Sequence, residues 1–465
     1  MEQFKINIYQ EDTIAAISTP QGQGGVAIIR ISGPQALSTI SKAWKGTDLQ
    51  KVESHTLHLG KYFDTEGKLL DEALAALFKA PNSFTGEDVV ELNIHGSQWL
   101  QKTILSDLIK RGIRIARPGE FTQRAFLNGK MDLTQAEGVA DLIAASSKAA
   151  HAMAINQTRG GFSKEIEILR SRLIEFASLL ELELDFSEED VEFADRAQLL
   201  FLCNQIKEKI KKLTDSYASG EVLKNGVPVV IAGIPNAGKS SLLNLLLKEE
   251  KAIVTDIPGT TRDIIEDTVE INGILYRFID TAGLRKTEDI VEAIGVKKAQ
   301  ESLKKAYIVI WLIDPNQNIN EQIDQINKFK IKNQDKKLIV LINKSDLLND
   351  RTENIENDIL KLNAIPFSTL TQNGLKPLLE MLHEEATKGI HPETDIIVTN
   401  ARHYESLSKA LESVERVEDN LQRGISADLV AQDIRETLTH LATLTGAISS
   451  DTLLHSIFSR FCIGK

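Results

Sequence analysis

The octapeptide at residues 233–240, Gly-Ile-Pro-Asn-Ala-Gly-Lys-Ser, constrains the fold of this chain more than any other segment. It follows an apolar run at residues 227–232 and precedes a helical pattern at residues 240–248. Glycines in such a loop let backbone N–H groups curl around phosphate oxygens, and the helix N-terminus adds positive potential. Lys239 would reach the β- and γ-phosphates, and the Ser240 hydroxyl would ligate Mg²⁺. Unless the match is an ordinary Gly/Ser turn, the octapeptide predicts a nucleotide-binding α/β domain.

Three further motifs follow the octapeptide in the order that such a domain requires. Residues 280–283, Asp-Thr-Ala-Gly, end an apolar run, where a carboxylate can hold Mg²⁺ through water and a glycine N–H can meet the γ-phosphate. Residues 343–346, Asn-Lys-Ser-Asp, follow another apolar run, and Asp346 can accept two hydrogen bonds from the edge of guanine. Between them, Thr261 is expected to be the second protein ligand of Mg²⁺. Together the four motifs predict a GTPase that binds GTP in preference to ATP.

The predicted GTP contacts come from four parts of the chain. These are the octapeptide at 233–240 (the phosphate loop), the segment at 255–261, the Asp-x-x-Gly element at 280–283, and the loops at 343–346 and 368–370 that would contact the base. They are Asn236, Ala237, Gly238, Lys239, Ser240, Ser241, Thr255, Asp256, Ile257, Pro258, Gly259, Thr260, Thr261, Asp280, Thr281, Ala282, Gly283, Asn343, Lys344, Asp346, Ser368, Thr369 and Leu370. Leu284 stands where Ras-type switches carry a water-orienting glutamine. Hydrolysis is then either feeble or assisted by another residue, for which Glu288 and Glu292 are the candidates.

Proline placement predicts the organisation of the chain. None of the 11 prolines falls between Pro118 and Pro228, and none follows Pro392. Because proline breaks helix interiors, both regions are expected to be mostly helical. In the first region, apolar residues recur every three or four positions from Ile166 to Leu184, which is typical of an amphipathic helix with a buried stripe.

The predicted fold class is a multidomain α/β protein. Residues 1–127 are expected to form an N-terminal α+β domain, with strands at 26–31 and 89–95 and a helix near 98–111. Residues 128–222 and 388–465 are expected to form the two parts of a discontinuous, all-α helical domain. Residues 223–387 are expected to form an inserted Ras-like P-loop G domain, with strands at 227–232, 276–280, 308–314, 338–343 and 365–368. Alternation of these strands with helices predicts a parallel sheet.

Composition limits the classes of function. The net charge of −12 argues against a general nucleic-acid binder. One basic stretch is either a local basic groove or a solvated helix end and loop; it contains Arg111, Arg114, Arg117, Arg124 and Lys130. Cys203 and Cys462 are the two cysteines, so a disulfide framework is not expected and a reducing compartment fits. The apolar runs are too short for a membrane span and residues 1–10 do not resemble a signal peptide, so we expect a cytoplasmic protein without a membrane partner.

Over essentially its whole length the chain resembles the MnmE (TrmE) family of tRNA-modification GTPases. The resemblance is carried by residues 12–16, 24–33, 84–96, 117–137, 255–263 and 280–285, and by the final Phe-Cys-Ile-Gly-Lys at 461–465. It implies that the protein acts together with MnmG, a partner that uses flavin and NADH, and that the two form a heterotetramer. The two proteins would build an aminomethyl or carboxymethylaminomethyl group on the wobble uridine of certain tRNAs. The one-carbon unit would come from a formyl- or methylene-tetrahydrofolate bound in the N-terminal domain, which would also form a homodimer.

The resemblance also implies particular site residues. The folate contacts would be Arg30, Glu87, Lys130 and Lys465. Read without the family, Arg30 at a strand end is an ordinary surface ion pair. Cys462 is either catalytic, positional or a small core residue.

The resemblance further implies K⁺ in the nucleotide site, placed where the guanidinium of an arginine finger would lie. Its ligands would be Asn236, Thr255, Ile257 and Thr260, with Glu292 positioning the water. The alternatives are that Asn236 only braces the phosphate loop and that Glu292 is a surface helix residue.

Two rival functions remain open at this stage. A ribosome-assembly GTPase that binds rRNA can share the same G domain, but it would need an appended basic RNA-binding module, and neither flank has the composition of one. A folate-dependent methyltransferase with a regulatory G domain is the second alternative.

Overall fold

The computed structural model describes residues 12–185, 196–249, 267–279, 303–334, 336–347 and 362–464. The chain separates into two compact units. One comprises residues 1–140, 157–171 and 438–465, and the other comprises residues 141–156 and 172–437. This division does not test the domain boundaries at 127, 222 and 387, which stay predictions. None of the helices in the described ranges combines the length and the apolar character that crossing a bilayer requires.

A seven-stranded sheet forms the centre of the first unit. Its strands are β1 (Ile14–Ile17), β2 (Val26–Ser32), β3 (Trp44–Gly46), β4 (Thr56–Phe63), β5 (Leu69–Phe78), β6 (Val89–His95) and β7 (Arg114–Ile115), in the order β3-β4-β5-β6-β2-β1-β7. All neighbours are antiparallel except β1 and β7. Alternate residues of β2, namely Ala27, Ile29 and Ile31, share a core with α1 (Ala36–Ala43) and α2 (Gln98–Lys110). The predicted α+β domain is confirmed, and its predicted strands and helix end within one residue of the observed ones.

The long proline-free stretch is helical, as predicted. It contains α3 (Glu120–Leu127), α4 (Leu133–Ala144), α5 (Lys148–Thr158), α6 (Gly161–Asp185), α7 (Arg196–Asp215) and α8 (Tyr217–Asn225). The stripe on α6 is buried through Ile166, Leu169, Leu173, Phe176 and Leu180, which are at most 2% exposed. Its periodicity therefore reflects core packing.

Among the described residues of the G domain, six strands form one sheet. Its elements are β8 (Val227–Gly233), α9 (Lys239–Glu249), β9 (Asp267–Ile271), β10 (Ile274–Phe278), β11 (Ile308–Ile313), α10 (Ile319–Lys332), β12 (Lys337–Ile342), β13 (Ile365–Pro366) and α11 (Leu375–Thr387), with strand order β13-β12-β11-β8-β10-β9. The prediction of a parallel sheet is wrong at one edge, where β9 pairs antiparallel with β10. Asn272 and Gly273 both have positive φ, 51° and 82°, and this two-residue turn reverses the chain directly.

The helices that flank the G domain in sequence pack together in space. The elements after it are α12 (Ala401–Gln422), α13 (Ala427–Thr445) and α14 (Asp451–Phe458). Helix α7 precedes the G domain and packs along α12, with an ion pair between Lys207 and Glu418 and a contact from Cys203 Sγ to the Val414 carbonyl at 3.7 Å. Burial raises the pKa of the Cys203 thiol to about 12, so this cysteine behaves as a core residue. The prediction of a discontinuous helical domain around an inserted G domain is confirmed.

Candidate functional site

The phosphate loop occupies the turn between β8 and α9. Gly233 ends the strand with a φ of 140°, and a Cβ there would lie 2.6 Å from the Leu312 carbonyl oxygen. Gly238 has a φ of 97°, and its Cβ would lie 2.1 Å from Asn343 Nδ2. Both positions therefore require glycine, for conformation and for space. Asn236 also lies in the left-handed region, at a φ of 62°, with its side chain exposed.

Lys239 begins α9, with its ammonium group inside the curl of the loop. Its Nζ donates to the carbonyl oxygens of Gly233 and Ile234 at 2.9 and 2.8 Å. Burial lowers the pKa of Lys239, because an ammonium that leaves water loses hydration. A phosphate bound in the loop would place negative charge beside this ammonium group. Ser240 and Ser241 follow on the first turn of α9, as the octapeptide predicts.

The predicted guanine-reading residues are brought together with the phosphate loop. Asn343 follows β12, and its Nδ2 donates to the Ala237 carbonyl at 2.7 Å while its Oδ1 accepts from the Thr369 amide at 3.3 Å. Asp346 Oδ1 accepts from Ser368 Oγ at 2.6 Å. One asparagine thus joins the phosphate loop to the loop after β13, and one serine fixes the carboxylate that would read the base.

Lys344 and the Ser-Thr-Leu loop complete this side of the site. Lys344 Nζ pairs with Asp314 Oδ2 at 2.6 Å, and Asp314 is 1% exposed. Ser368 is buried and accepts from the Thr371 amide at 3.2 Å, whereas Leu370 is 83% exposed. Ser368 therefore supports Asp346 directly in this chain.

The remaining predicted nucleotide residues lie outside the described residues, and their roles stay predictions. They are Thr255, Asp256, Ile257, Pro258, Gly259, Thr260, Thr261, Asp280, Thr281, Ala282, Gly283 and the candidate water-positioning Glu292.

A second candidate site lies on the sheet of the first unit, around Arg30. Arg30 Nε pairs with Glu91 Oε1 at 2.8 Å, so Arg30 forms the ordinary ion pair that is expected without the family resemblance. Its guanidinium also lies 5.3 Å and 5.7 Å from the ring centres of Phe84 and Phe121. These rings hold the cation by cation–π contact in addition to the ion pair.

Two further predicted folate contacts border the loop at residues 81–88. Glu87 accepts from Ser32 Oγ at 2.6 Å and from Arg124 Nη1 at 3.1 and 3.2 Å. Lys130 Nζ donates to the Pro81 carbonyl at 3.0 Å. Ser32 lies two residues after Arg30 and so on the same face of β2. The structure therefore brings Arg30, Glu87 and Lys130 to one region.

The C-terminal segment reaches the same sheet. Ser18 Oγ donates to the Gly464 carbonyl at 3.1 Å, and the Gly119 amide donates to the Cys462 carbonyl at 3.4 Å. Ser18 directly follows β1, the neighbour of β2. The Cys462 side chain is exposed, so its interpretation as a small core residue is wrong. Lys465 lies outside the described residues.

The arginines of the basic stretch pair with acids that sequence reasoning missed, so they do not form an open basic groove, while Arg114 and Arg117 stay 38% and 46% exposed, in line with a solvated helix end and loop. Arg114 contacts Asp12 and Glu120, each at 2.6 Å, and Arg124, which is 3% exposed, contacts the same two acids at 2.6 and 3.1 Å. Arg111 pairs with Asp107 at 2.7 Å, and Arg117 with Glu120 at 3.4 Å. Burial alone would raise the pKa of Glu120, but the bonds from Arg114 and the Arg117 amide outweigh it and bring that pKa to about 2.

Comparison with known families covers nearly the whole chain. A sequence profile described as the MnmE helical domain matches residues 133–462, and one described as the GTP-binding protein TrmE N-terminus matches residues 13–130.

Individual relatives match at similar coverage. Proteins of Flavobacterium johnsoniae and Christiangramia forsetii, each named tRNA modification GTPase MnmE, are 50% identical over 464 and 471 residues. Each match covers 98% of this chain and 99% of the relative. A protein of Bacteroides thetaiotaomicron with the same name is 48% identical, over 98% of this chain and all of the relative.

Solved structures match a smaller part of the chain. A variant of Aquifex aeolicus Era bound to GDP and aluminium fluoride is 27% identical, with a TM-score of 0.27, over 40% of this chain and 65% of that one. The G domain of the T. maritima FeoB iron transporter is 27% identical, with a TM-score of 0.25, over 34% of this chain and 98% of that one.

Proposed function

The chain belongs to the MnmE (TrmE) family of tRNA modification GTPases, and on that premise we propose the reaction that it serves. With an MnmG-type flavoprotein, it adds an aminomethyl or carboxymethylaminomethyl group to the wobble uridine of certain tRNAs. A formyl- or methylene-tetrahydrofolate held in the N-terminal domain supplies the one-carbon unit. One observation carries the proposal: the chain contains both a formed phosphate loop and a separate polar site, and its own C-terminal segment approaches that polar site through the bond from Ser18 to Gly464.

The phosphate loop fits a Mg²⁺-bound guanine nucleotide. The loop already holds the Lys239 ammonium, and Ser240 places a hydroxyl on the first turn of α9. Mg²⁺ held by Ser240 and Thr261 would neutralise negative charge on the β- and γ-phosphates. The chain itself binds the phosphates through the loop amides, orients them with Lys239 and selects the base with Asp346.

K⁺ is proposed as a second cation of this site. Asn236 fits this role, because its amide oxygen is a hard donor on an exposed, left-handed residue of the loop. Thr255, Ile257 and Thr260 would supply further oxygens, and K⁺ there would provide the positive charge that an arginine finger provides elsewhere. Glu292 would orient the water in place of the glutamine that Leu284 replaces.

The region around Arg30 fits a reduced folate. Arg30, Lys130 and Lys465 can pair with the folate carboxylates, and Glu87 can accept from the N–H edge of the pterin. Phe84 and Phe121 give Arg30 an apolar wall. Cys462 would act close by, chemically or by positioning, because its backbone accepts from Gly119 within the same unit.

The exposed face of the sheet supports a homodimer. The cross-strand register aligns Arg30 with Glu91, Ala76 and Leu57, and the next row aligns Asn93 with Leu74 and Leu59. Leu57, Leu59 and Leu74 are 57%, 63% and 37% exposed. The same face of a second copy of the chain would cover these leucines. It would also cover the cross-strand row that contains Arg30.

Mass spectrometry of tRNA nucleosides tests the proposed reaction. A strain that lacks this chain should lose the modified wobble uridine, and the wild-type chain should restore it. The Arg30→Ala chain should restore it poorly because folate binding is weakened, while GTP hydrolysis by that variant stays at the wild-type rate. Intact wobble uridines with immature rRNA would support the ribosome-assembly alternative, and loss of a single methyl group would support the methyltransferase alternative.

A further inference from the structure

Ser32 holds Glu87 from the strand that also carries Arg30. Its side chain is fully buried, and Ser32 Oγ lies 2.6 Å from Glu87 Oε2 and 2.7 Å from Thr85 Oγ1. Thr85 Oγ1 in turn accepts from the Glu87 amide at 3.2 Å. Hydrogen bonds from a hydroxyl to a carboxylate are short and strong because the acceptor is charged. The position of β2 in the sheet therefore determines where one Glu87 oxygen lies.

Arg124 holds the same carboxylate from α3. Its Nη1 approaches both Glu87 oxygens, at 3.1 and 3.2 Å. The guanidinium is itself fixed, since Nη2 donates to Asp12 Oδ1 at 2.6 Å and to Glu120 Oε1 at 3.1 Å. Arg124 is 3% exposed, so the guanidinium is shielded from water.

These contacts leave capacity on Glu87 for a ligand. A carboxylate has about four acceptor positions, and Ser32 and Arg124 together use at most three of them. The Glu87 side chain also keeps 17% of its surface exposed, whereas Ser32 and Arg124 are buried. We infer that Ser32 and Arg124 are positioning residues, which hold Glu87 preorganised as the acceptor for the pterin N–H edge. The inference rests on the folate site proposed above and deepens it, because a fixed acceptor spares the ligand the entropy of ordering a loose one.

A double-mutant cycle tests the role of Ser32, with calorimetric titration of the full-length chain by 5-formyl-tetrahydrofolate. The chains compared are wild type, Ser32→Ala, Glu87→Gln and the double variant. Ser32→Ala should raise the folate Kd by about tenfold, the value of one hydrogen bond to a charged group. In the Glu87→Gln background the same substitution should change Kd by less than about twofold, because its effect passes through the carboxylate. Ser38→Ala is the matched control, since Ser38 lies on α1 and its hydroxyl makes an exposed bond to the carbonyl of Gln35, just before the helix.

The outcomes separate this inference from the proposed function. If wild type binds no folate, or if Glu87→Gln binds as wild type does, the folate site itself is wrong. If wild type binds and Glu87→Gln weakens binding, an unchanged Kd for Ser32→Ala overturns the inference. An equal loss in both backgrounds also overturns it, because Ser32 would then act through general structure.

The Arg124→Lys variant tests the positioning role of Arg124 independently of Ser32. Lysine keeps the charge but lacks the planar fork that contacts Glu87, Asp12 and Glu120 together. The Arg124→Lys substitution should raise the folate Kd by about tenfold or more in the wild-type background. In the Glu87→Gln background the same substitution should raise the Kd by less than about twofold. A Kd equal to that of wild type would contradict the role of Arg124, whatever the Tm of the variant.

Discussion

The Asp346 carboxylate accepts a hydrogen bond from Ser368 Oγ at 2.6 Å, which fixes one oxygen beside the loop after β13. Guanine offers two N–H donors to such a carboxylate, and an amide in its place cannot accept both. Asp346→Asn should weaken GTP binding by about 1.5–3 kcal/mol, or roughly ten- to a hundredfold in Kd, and move preference toward xanthosine nucleotides. Competition of GTP, XTP and ATP for a fluorescent nucleotide measures this. Equal binding of GTP and ATP by the wild type would contradict the assignment of the site.

The ionisation of Glu120 should make the free energy of unfolding depend on pH in the acid range. Its folded-state pKa of about 2 lies below its ordinary value of 4.5 because Arg114 and the Arg117 amide stabilise the carboxylate. A depressed pKa contributes stability that is fully present above about pH 4.5 and is lost as the pH falls toward 2. The free energy of unfolding, measured with urea from pH 5 to pH 3, should therefore fall more steeply for wild type than for Glu120→Gln. Glu66→Gln, an exposed control, should keep the wild-type slope; equal slopes in all three would refute the effect.

Local sequence predicts the strand–loop–helix conformation of the phosphate loop but not the partners of the arginines. Gly233, Gly238 and Lys239 have roles set by one loop between a strand and a helix, which eight consecutive residues specify. Arg114 pairs with Asp12, 102 positions away, and that pairing exists only because β7 lies beside β1. Charge counting along the chain therefore indicated a basic stretch where the folded protein has ion pairs.

At the scale of elements, the β9–β10 hairpin contacts α5. The Gly273 carbonyl accepts from the Ala149 amide at 2.9 Å, and a Cβ on Gly273 would lie 3.1 Å from Lys148 Cβ. Gly273→Ala should lower the free energy of unfolding by about 1–3 kcal/mol, from the positive φ of 82° and from this crowding. Gly389→Ala is the matched control, since it has a φ of 77° and nothing within 4 Å. Urea unfolding of both variants separates the effect of crowding on the free energy of unfolding from the effect of the positive φ. An equal loss of free energy in the two variants would show that the contact with α5 does not contribute to the cost of the substitution.

This hairpin also shows why element type is easier to predict than pairing. The central strands β8, β11 and β12 are continuous apolar runs, which is typical of buried parallel strands. Strand β9 is five residues long with three polar positions, and its direction depends on the Asn-Gly turn rather than on hydrophobicity. A search for Asn-Gly between short alternating runs would have found it.

At the scale of the whole molecule, the cation proposal predicts how salt changes turnover. GTP hydrolysis should be faster in KCl than in NaCl at equal ionic strength, so that screening is the same in both. Asn236→Ala should remove most of that difference, because the amide oxygen is the proposed ligand of K⁺. Glu292→Ala should slow hydrolysis while GTP affinity stays near the wild-type value. Equal rates in the two salts for wild type would exclude the K⁺ mechanism and leave the GTPase assignment intact.

The exposed leucines on β4 and β5 predict that the chain pairs through its N-terminal sheet. The core lies on one face, with Ala27, Ile29 and Ile31, while Leu57 and Leu59 point to the other and are more than half exposed. An isologous interface uses the same patch twice, so each substitution acts on both copies. Burial of one leucine contributes about 1.5–3 kcal/mol, so two copies of Leu59 contribute roughly 3–6 kcal/mol.

Leu59→Asp should therefore raise the dimer dissociation constant by at least about a hundredfold, because two apolar contacts are replaced by two charges that repel. Sedimentation or light scattering over a range of concentrations measures the change. Ile331→Asp, on α10 and 74% exposed, is the control and should leave the mass unchanged. Since Arg30 shares a cross-strand row with Leu57, loss of the dimer should also alter folate affinity. A monomeric wild type, or a Leu59→Asp variant as dimeric as wild type, would mean that another surface or partner covers these leucines.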